Sequence, residues 1–329
     1  MLKSLKSLRE LTAQAGLILA ALVLCASQAA AQISTSGDVT EQISSSDYAT
    51  ASTYAVGANA SGSMTVAAGG GVTFAGTLNQ DYFYVGSSSG AAGSSLNITG
   101  GQFLQTDGNI VIGQNGSGVM NIDNGGAVLM TFLILGHSAG GVINLNDGSL
   151  DVQNMSVSPT FAPSTSININ GGRFSAERLS FDRGEFNISS KADSVEIARF
   201  SVGPDTTINF KLEGGDGAFS GPLMHVTTLS VYDWVGVPKL NVDLENYTAT
   251  QNQSVEIFNF TNNGGEFDTD DLVFTVSGID EDHYDVGTGI YWVGNTAMLD
   301  ISIIPEPNIS AFVMGAGVLA LAFARRKRV

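Results

Sequence analysis

The chain has 329 residues, 40 of them glycine and one cysteine, with 31 acidic side chains against 14 lysines and arginines, a formal charge of −17. That balance repels phosphate backbones and argues against a nucleic-acid-binding surface, and a lone cysteine excludes a disulfide framework. Aromatic and β-branched residues interleave with the glycines, unlike the composition of a disordered low-complexity chain.

The N-terminus reads as a signal peptide over 1–31. Lys3, Lys6 and Arg9 form a basic region, Leu17 to Leu24 an apolar core, and Ala29-Ala30-Ala31 an A-x-A site. The expected cleavage signal is therefore Ala29, Ala31 and Gln32, with the mature chain starting at Gln32. Cys25 lies inside this segment, and Leu24 stands where a lipoprotein signal needs a small residue. Between Gln32 and Ile304 there are seven basic and 29 acidic residues, a net charge of −22, and no lysine or arginine precedes Arg173. Compatible partners are cations, basic proteins and neutral or cation-bridged polysaccharide; acidity alone also keeps an exported protein soluble.

Residues 32–60 read as a lead-in or cap for a repeat array over 61–199. Leu96-Asn97-Ile98, Met120-Asn121-Ile122, Ile143-Asn144-Leu145 and Ile167-Asn168-Ile169 each run into a glycine turn, with the asparagines spaced 24, 23 and 24 residues apart. A weaker copy at Met64-Thr65-Val66 precedes them and a decayed one at Phe186-Asn187-Ile188 follows. Alternation sends Leu and Ile to one face and Asn to the other. Between copies, Tyr84-Val85-Gly86, Val111-Ile112-Gly113 and Ile134-Leu135-Gly136 form a second strand-like stretch closed by glycine. A 24-residue period of short strands and glycine corners predicts an all-β parallel β-solenoid of about five coils, its asparagines stacked in a hydrogen-bonded ladder. The rival is an antiparallel hairpin array or propeller, whose blades need about 40 residues. From Ser61 to Ile188 the chain resembles the autotransporter-associated repeat type of exported bacterial proteins, and the resemblance implies a passive extended scaffold.

From about Phe200 the period is lost. Strands are expected at Thr207 to Leu212, Val226 to Val231, Lys239 to Leu244, Val255 to Phe260 and Leu272 to Val276, closing with Met298 to Ile304. The segment 200–304 reads as a β-rich cap or small sandwich, either a separate domain or a continuation of one fold.

Few residues carry chemistry. Gly136-His137-Ser138-Ala139-Gly140 fits the G-x-S-x-G nucleophile elbow, but a strand is expected after it instead of the required helix, so no catalytic residue is assigned. His137, His225 and His283 stand apart without zinc-type spacing. Asp268, Asp270 and Asp271, with Asp280 and Asp282, offer hard oxygen ligands for Ca²⁺ without matching a known calcium loop; solvated acidic loops are the default, and no other cofactor is indicated. Arg173, Arg178 and Arg183 either line a site near Glu177 and Glu185 or make rim ion pairs. Asn97-Ile98-Thr99 and Asn187-Ile188-Ser189 match the glycosylation sequon, as an Asn-, Ser- and Thr-rich chain does by chance.

The tail over 305–329 is the most specific element. Pro305-Glu306-Pro307 precedes an apolar or small run from Ile309 to Ala324, then Arg325, Arg326, Lys327 and Arg328. Sixteen helical residues rise about 24 Å, just able to cross a hydrocarbon core of about 30 Å with help from the flanks, and the four cations stay cytoplasmic. This order resembles the PEP-CTERM sorting signal of exported bacterial proteins, which implies processing by an exosortase-like membrane enzyme. It also implies an inner-membrane-anchored precursor and a mature form at the cell surface or outside the cell. The expected function is that of a non-enzymatic surface or extracellular-matrix protein that meets extracellular polysaccharide or other surface proteins. The alternative is a carbohydrate-binding or polysaccharide-cleaving β-helix protein.

Overall fold

The computed structural model describes residues 33–39, 53–75, 81–157, 164–215, 221–231, 237–263, 272–287 and 289–304. The expected signal peptide, its cleavage residues Ala29, Ala31 and Gln32, and the whole tail from Pro305 lie outside them. The described chain is all-β, with 22 strands joined in a curled sheet that is mostly parallel. No helix among the described residues is long and apolar enough to cross a membrane, and the helix expected over 309–324 falls outside this set.

The strands stand in three parallel columns. The first begins with β3 (Gly62–Ala67), β6 (Ser94–Thr99), β9 (Gly118–Asp123), β11 (Gly141–Leu145) and β13 (Ser166–Ile169), each paired in parallel with the next. It continues through the last parts of β14 (Gly172–Ser189) and β15 (Ala192–Lys211), then β17 (Lys239–Asp243) and β19 (Val273–Ser277). The second column holds β4 (Gly71–Ala75), β7 (Gln102–Asp107) and the first parts of β10 (Gly126–Leu135), β12 (Gly148–Val157), β14 and β15. The third holds β2 (Thr53–Val56), β5 (Tyr82–Val85), β8 (Asn109–Ile112), the later parts of β10 and β12, the middles of β14 and β15, and the end of β16 (Met224–Val231). The first column thus counts nine segments, more than the five coils expected, because pairing persists after the 24-residue period fails.

Alternation explains why these residues form strands with one buried side. In β6 and β9 every second residue is buried, and Leu96, Ile98, Met120, Ile122, Ile143, Leu145, Ile167 and Ile169 are all 0% exposed. The three columns close on one core. Phe186 of the first column packs its ring 5.7 Å from Phe174 of the second and 6.0 and 6.2 Å from Phe181 and Phe200 of the third. Burying each such ring contributes about 2–3 kcal/mol. Corners are set by glycine where no other residue fits. Gly113 adopts φ +80°, and a Cβ there would lie 2.5 Å from the Gly140 carbonyl oxygen of the next corner.

Among the described strands, antiparallel ladders are confined to the ends. At the start β1 (Ile33–Gly37) runs antiparallel on β3, and the Asp38 carboxylate accepts the amides of Asn59 and Ala60 at 2.5 and 2.9 Å, which lowers its pKa. At the far end β18 (Gln253–Asn263) pairs in parallel with β16 and antiparallel with β22 (Thr296–Ile303). Strands β20 (Tyr284–Asp285) and β21 (Ile290–Val293) also pair antiparallel with β22. Reversed strands of this kind cover edges that would otherwise template other chains. The boundary expected between 199 and 200 falls inside β15, and parallel ladders cross it on both sides.

Candidate functional site

The most ordered surface is the outer side of the first column. Asn97, Asn121, Asn144, Asn168, Asn187 and Asn209 occupy one register position on successive strands. Each side-chain Nδ2 donates to the Oδ1 of the asparagine before it, at 2.7 Å from Asn121, 2.8 Å from Asn144, 2.8 Å from Asn168, 2.7 Å from Asn187 and 2.7 Å from Asn209. At the top, Asn97 donates to Ser63 Oγ at 3.3 Å. The position continues below as Asn241 and Thr275, where Thr275 Oγ1 donates to Asn241 Oδ1 at 2.9 Å. A shorter ladder runs beside it: Asn146 donates to Asp123 at 2.7 Å and Asn170 to Asn146 at 2.8 Å. All six asparagines of the main ladder are half-buried. Two of them, Asn97 and Asn187, are the sequon asparagines, and their amide nitrogens are committed to these bonds in the folded chain.

The arrangement offers a flat, repeating row of amides whose donors and acceptors largely satisfy one another. It can order a surface and present it. Its groups are amides and hydroxyls with one carboxylate, Asp123, and all of them can take part in recognition by hydrogen bonding.

No protein-family model, curated protein or solved structure matches this chain.

The G-x-S-x-G segment is a corner between strands. His137 N donates to Gly113 O at 3.0 Å, Ser138 N to Gln114 O at 2.8 Å and Ala139 N to Gly113 O at 3.4 Å. The amide of Ala139, the one an elbow would aim at an oxyanion, is thus directed at the corner above. His137 Nδ1 and Ser138 Oγ lie 3.0 Å apart, His137 exposed and Ser138 half-buried, and β11 follows directly.

Of the calcium candidates, Asp268, Asp270 and Asp271 lie outside the described residues. Asp280 uses its carboxylate on its own turn, accepting Asp282 N at 3.2 Å and His283 Nδ1 at 2.8 Å. Among the described residues no three His, Cys, Asp or Glu side chains come together as a metal set. Asp280 and His283 border a cavity of about 500 Å³ at the far end of the stack, lined also by Glu245, Tyr284 and Ile304. The chain leaves this end with Ile304 N donating to His283 O at 2.8 Å.

The arginines divide. Arg173 pairs with Asp151 at 2.9 Å and Arg183 with Asp205 at 2.6 Å, both as exposed rim pairs. Ser175 Oγ also donates to Asp151. Lys191 pairs with Glu213 at 2.8 Å, and this hydrogen bond, aided by Ser189, holds the Glu213 carboxyl below its ordinary range. Arg178, grouped with Arg173 and Arg183 in the sequence, closes no ion pair among the described residues. Sequence reading missed its cross-strand neighbour Arg199, whose only signal is a 21-residue separation that no repeat copy marks.

Proposed function

We propose that this chain is a non-enzymatic, exported surface or extracellular-matrix protein that works by display. Its body is a β-solenoid, extended at the C-terminal end by a β-rich cap, and the tail is a PEP-type sorting signal. The observation that carries this reading is the unbroken asparagine ladder on parallel strands. Such a column needs every coil in register, so it favours a rigid scaffold over a mobile catalytic surface. The sequence at both ends supports the route. A signal peptide cleaved after Ala31 delivers the chain, and the Ile309 to Ala324 helix with Arg325 to Arg328 anchors the precursor in the inner membrane. Pro305, Glu306 and Pro307 then address it to an exosortase-like processing enzyme. Once released or held at the surface, the ladder faces present amides and hydroxyls to extracellular polysaccharide or neighbouring proteins.

The test is mass spectrometry of the C-terminal peptide of the protein from its native cells, with membrane and external fractions analysed separately. An external form ending near Pro305 to Pro307 is the expected result. An intact Arg325 to Val329 tail found only in the membrane fraction would sink the processing step and leave an anchored protein. Of the two carbohydrate alternatives, binding has an observation in its favour, the arginine pair of the third column.

A further inference from the structure

We infer that the outer side of the third column carries a site for an acidic polysaccharide, centred on Arg178 and Arg199, a local basic patch that departs from the overall acidity which otherwise disfavours polyanions. The two arginines are direct cross-strand partners in the parallel pairing of β14 and β15, so their Cα atoms stand about 4.8 Å apart. Both are exposed. Like charges placed opposite each other on a sheet destabilise it, and here no ion pair among the described residues relieves them. Among the described residues neither arginine has a carboxylate within 4.0 Å, although Arg173, Arg183 and Lys191 each do. Lys211 stands in register with Asp243. Glu177, next to Arg178 in the chain, closes no ion pair among the described residues either. In a body with 29 acidic residues, two neighbouring exposed arginines with no ion pair among the described residues are open to an outside anion.

The surroundings fit a repeating anionic glycan. Two residues on along each strand, Ser156, Ser180 and Ser201 form an in-register row of hydroxyls beside the arginines. Ser180 Oγ turns toward Asp182 at 3.4 Å, and that carboxylate marks the edge of the site. Up the same column Phe132 stands two strands above Arg178, through Asn154. Tyr82 and Tyr84, further up, stack their rings 5.4 Å apart. Ring faces for sugar planes and a guanidinium pair for carboxylate or sulfate therefore share one column, with Asn154 standing between Phe132 and Arg178. A polymer with repeated rings and charges matches that order better than a single small anion.

This site deepens the display reading by naming what is bound, but its test does not depend on export. Affinity electrophoresis of the purified full chain through gels containing polygalacturonate, dextran sulfate or neutral dextran measures it. Retardation by one or both polyanions and none by neutral dextran is expected, with inorganic sulfate competing. The two polyanions distinguish carboxylate from sulfate as the bound group. The double variant Arg178→Gln/Arg199→Gln should lose affinity by about tenfold or more while Arg173→Gln, on the second column, keeps it. Should the double variant fail to fold, the two single variants, each losing part of the affinity, carry the same test. Equal retardation of wild type and variants would overturn the proposal, as would no retardation of the wild type by either polyanion. Arginine-dependent self-association in sedimentation without glycan retention would also overturn it, assigning the pair to a carboxylate of a second copy. None of these failures touches the C-terminal processing result.

Discussion

Asn144 sits in the middle of the ladder, donating to Asn121 and accepting from Asn168, both at 2.8 Å. Asn209 ends it, donating to Asn187 at 2.7 Å, with no hydrogen bond joining it to Asn241. Replacing Asn144 with Ala removes two side-chain bonds and replacing Asn209 with Ala removes one. At about 1 kcal/mol for each neutral hydrogen bond, the losses are about 2 and about 1 kcal/mol. Both positions lie on strands of the same column and both are half-buried, so differences in strand preference and solvent replacement cancel between them. Equilibrium unfolding in urea of the two variants and the wild type, fitted with a shared slope, measures the difference. An Asn144→Ala loss no larger than that of Asn209→Ala would show that the ladder contributes nothing beyond each strand's own pairing.

Other consequences are open to the same assay. Gly113→Ala places a Cβ 2.5 Å from Gly140 O at φ +80°, whereas Gly125→Ala at φ +75° meets nothing within 4 Å; the first should cost about 3 kcal/mol or more and the second about 1 kcal/mol. Phe186→Ala empties the meeting point of three columns, and a loss of about 3–5 kcal/mol is expected in the urea midpoint. The Glu213 carboxyl has a folded pKa below its ordinary 4.5, so its contribution is complete above that value and fades as pH falls through the lowered one. Because the Lys191 partner is largely exposed, Glu213→Gln should remove less than about 1 kcal/mol of acid-sensitive stability, read as a smaller wild-type advantage in acid than at neutrality.

The repeat was legible where corners are short. Asn97 to Asn168 keep a spacing of 23 or 24 residues because each turn closes within a few residues, and Leu96 and Ile98 announce the buried side by alternation alone. Past Asn168 the register position recurs after 19 residues at Asn187, 22 at Asn209, 32 at Asn241 and 34 at Thr275. Corner length changes the spacing without moving the strand, so sequence reading finds Asn187 only as a decayed copy and a fixed period misses Asn209, Asn241 and Thr275, which parallel pairing joins to the same column. The same effect weakens the first level, where Thr65 of the fainter Met64-Thr65-Val66 copy stands opposite Asn97 at a longer spacing. Arg199 was invisible for a related reason: which residue it faces is decided by register between β14 and β15. Neither arginine belongs to a motif.

The ladder has a direction. Every side-chain amide from Asn121 to Asn209 points its N–H toward the start of the chain and its C=O toward the end, so the amide dipoles, about 3.5 D each in a peptide unit, add along the stack as they do in a helix. Asn97 is the positive pole, answered by Ser63 Oγ. Asn209 is the negative pole, and two of the few cations in this acidic body, Lys211 and Lys239, stand on the same two levels as Asn209 and Asn241. A column of neutral side chains thereby acquires an electrical polarity, and two cations, Lys211 and Lys239, join Asp243 on the levels where the carbonyl end of the row emerges.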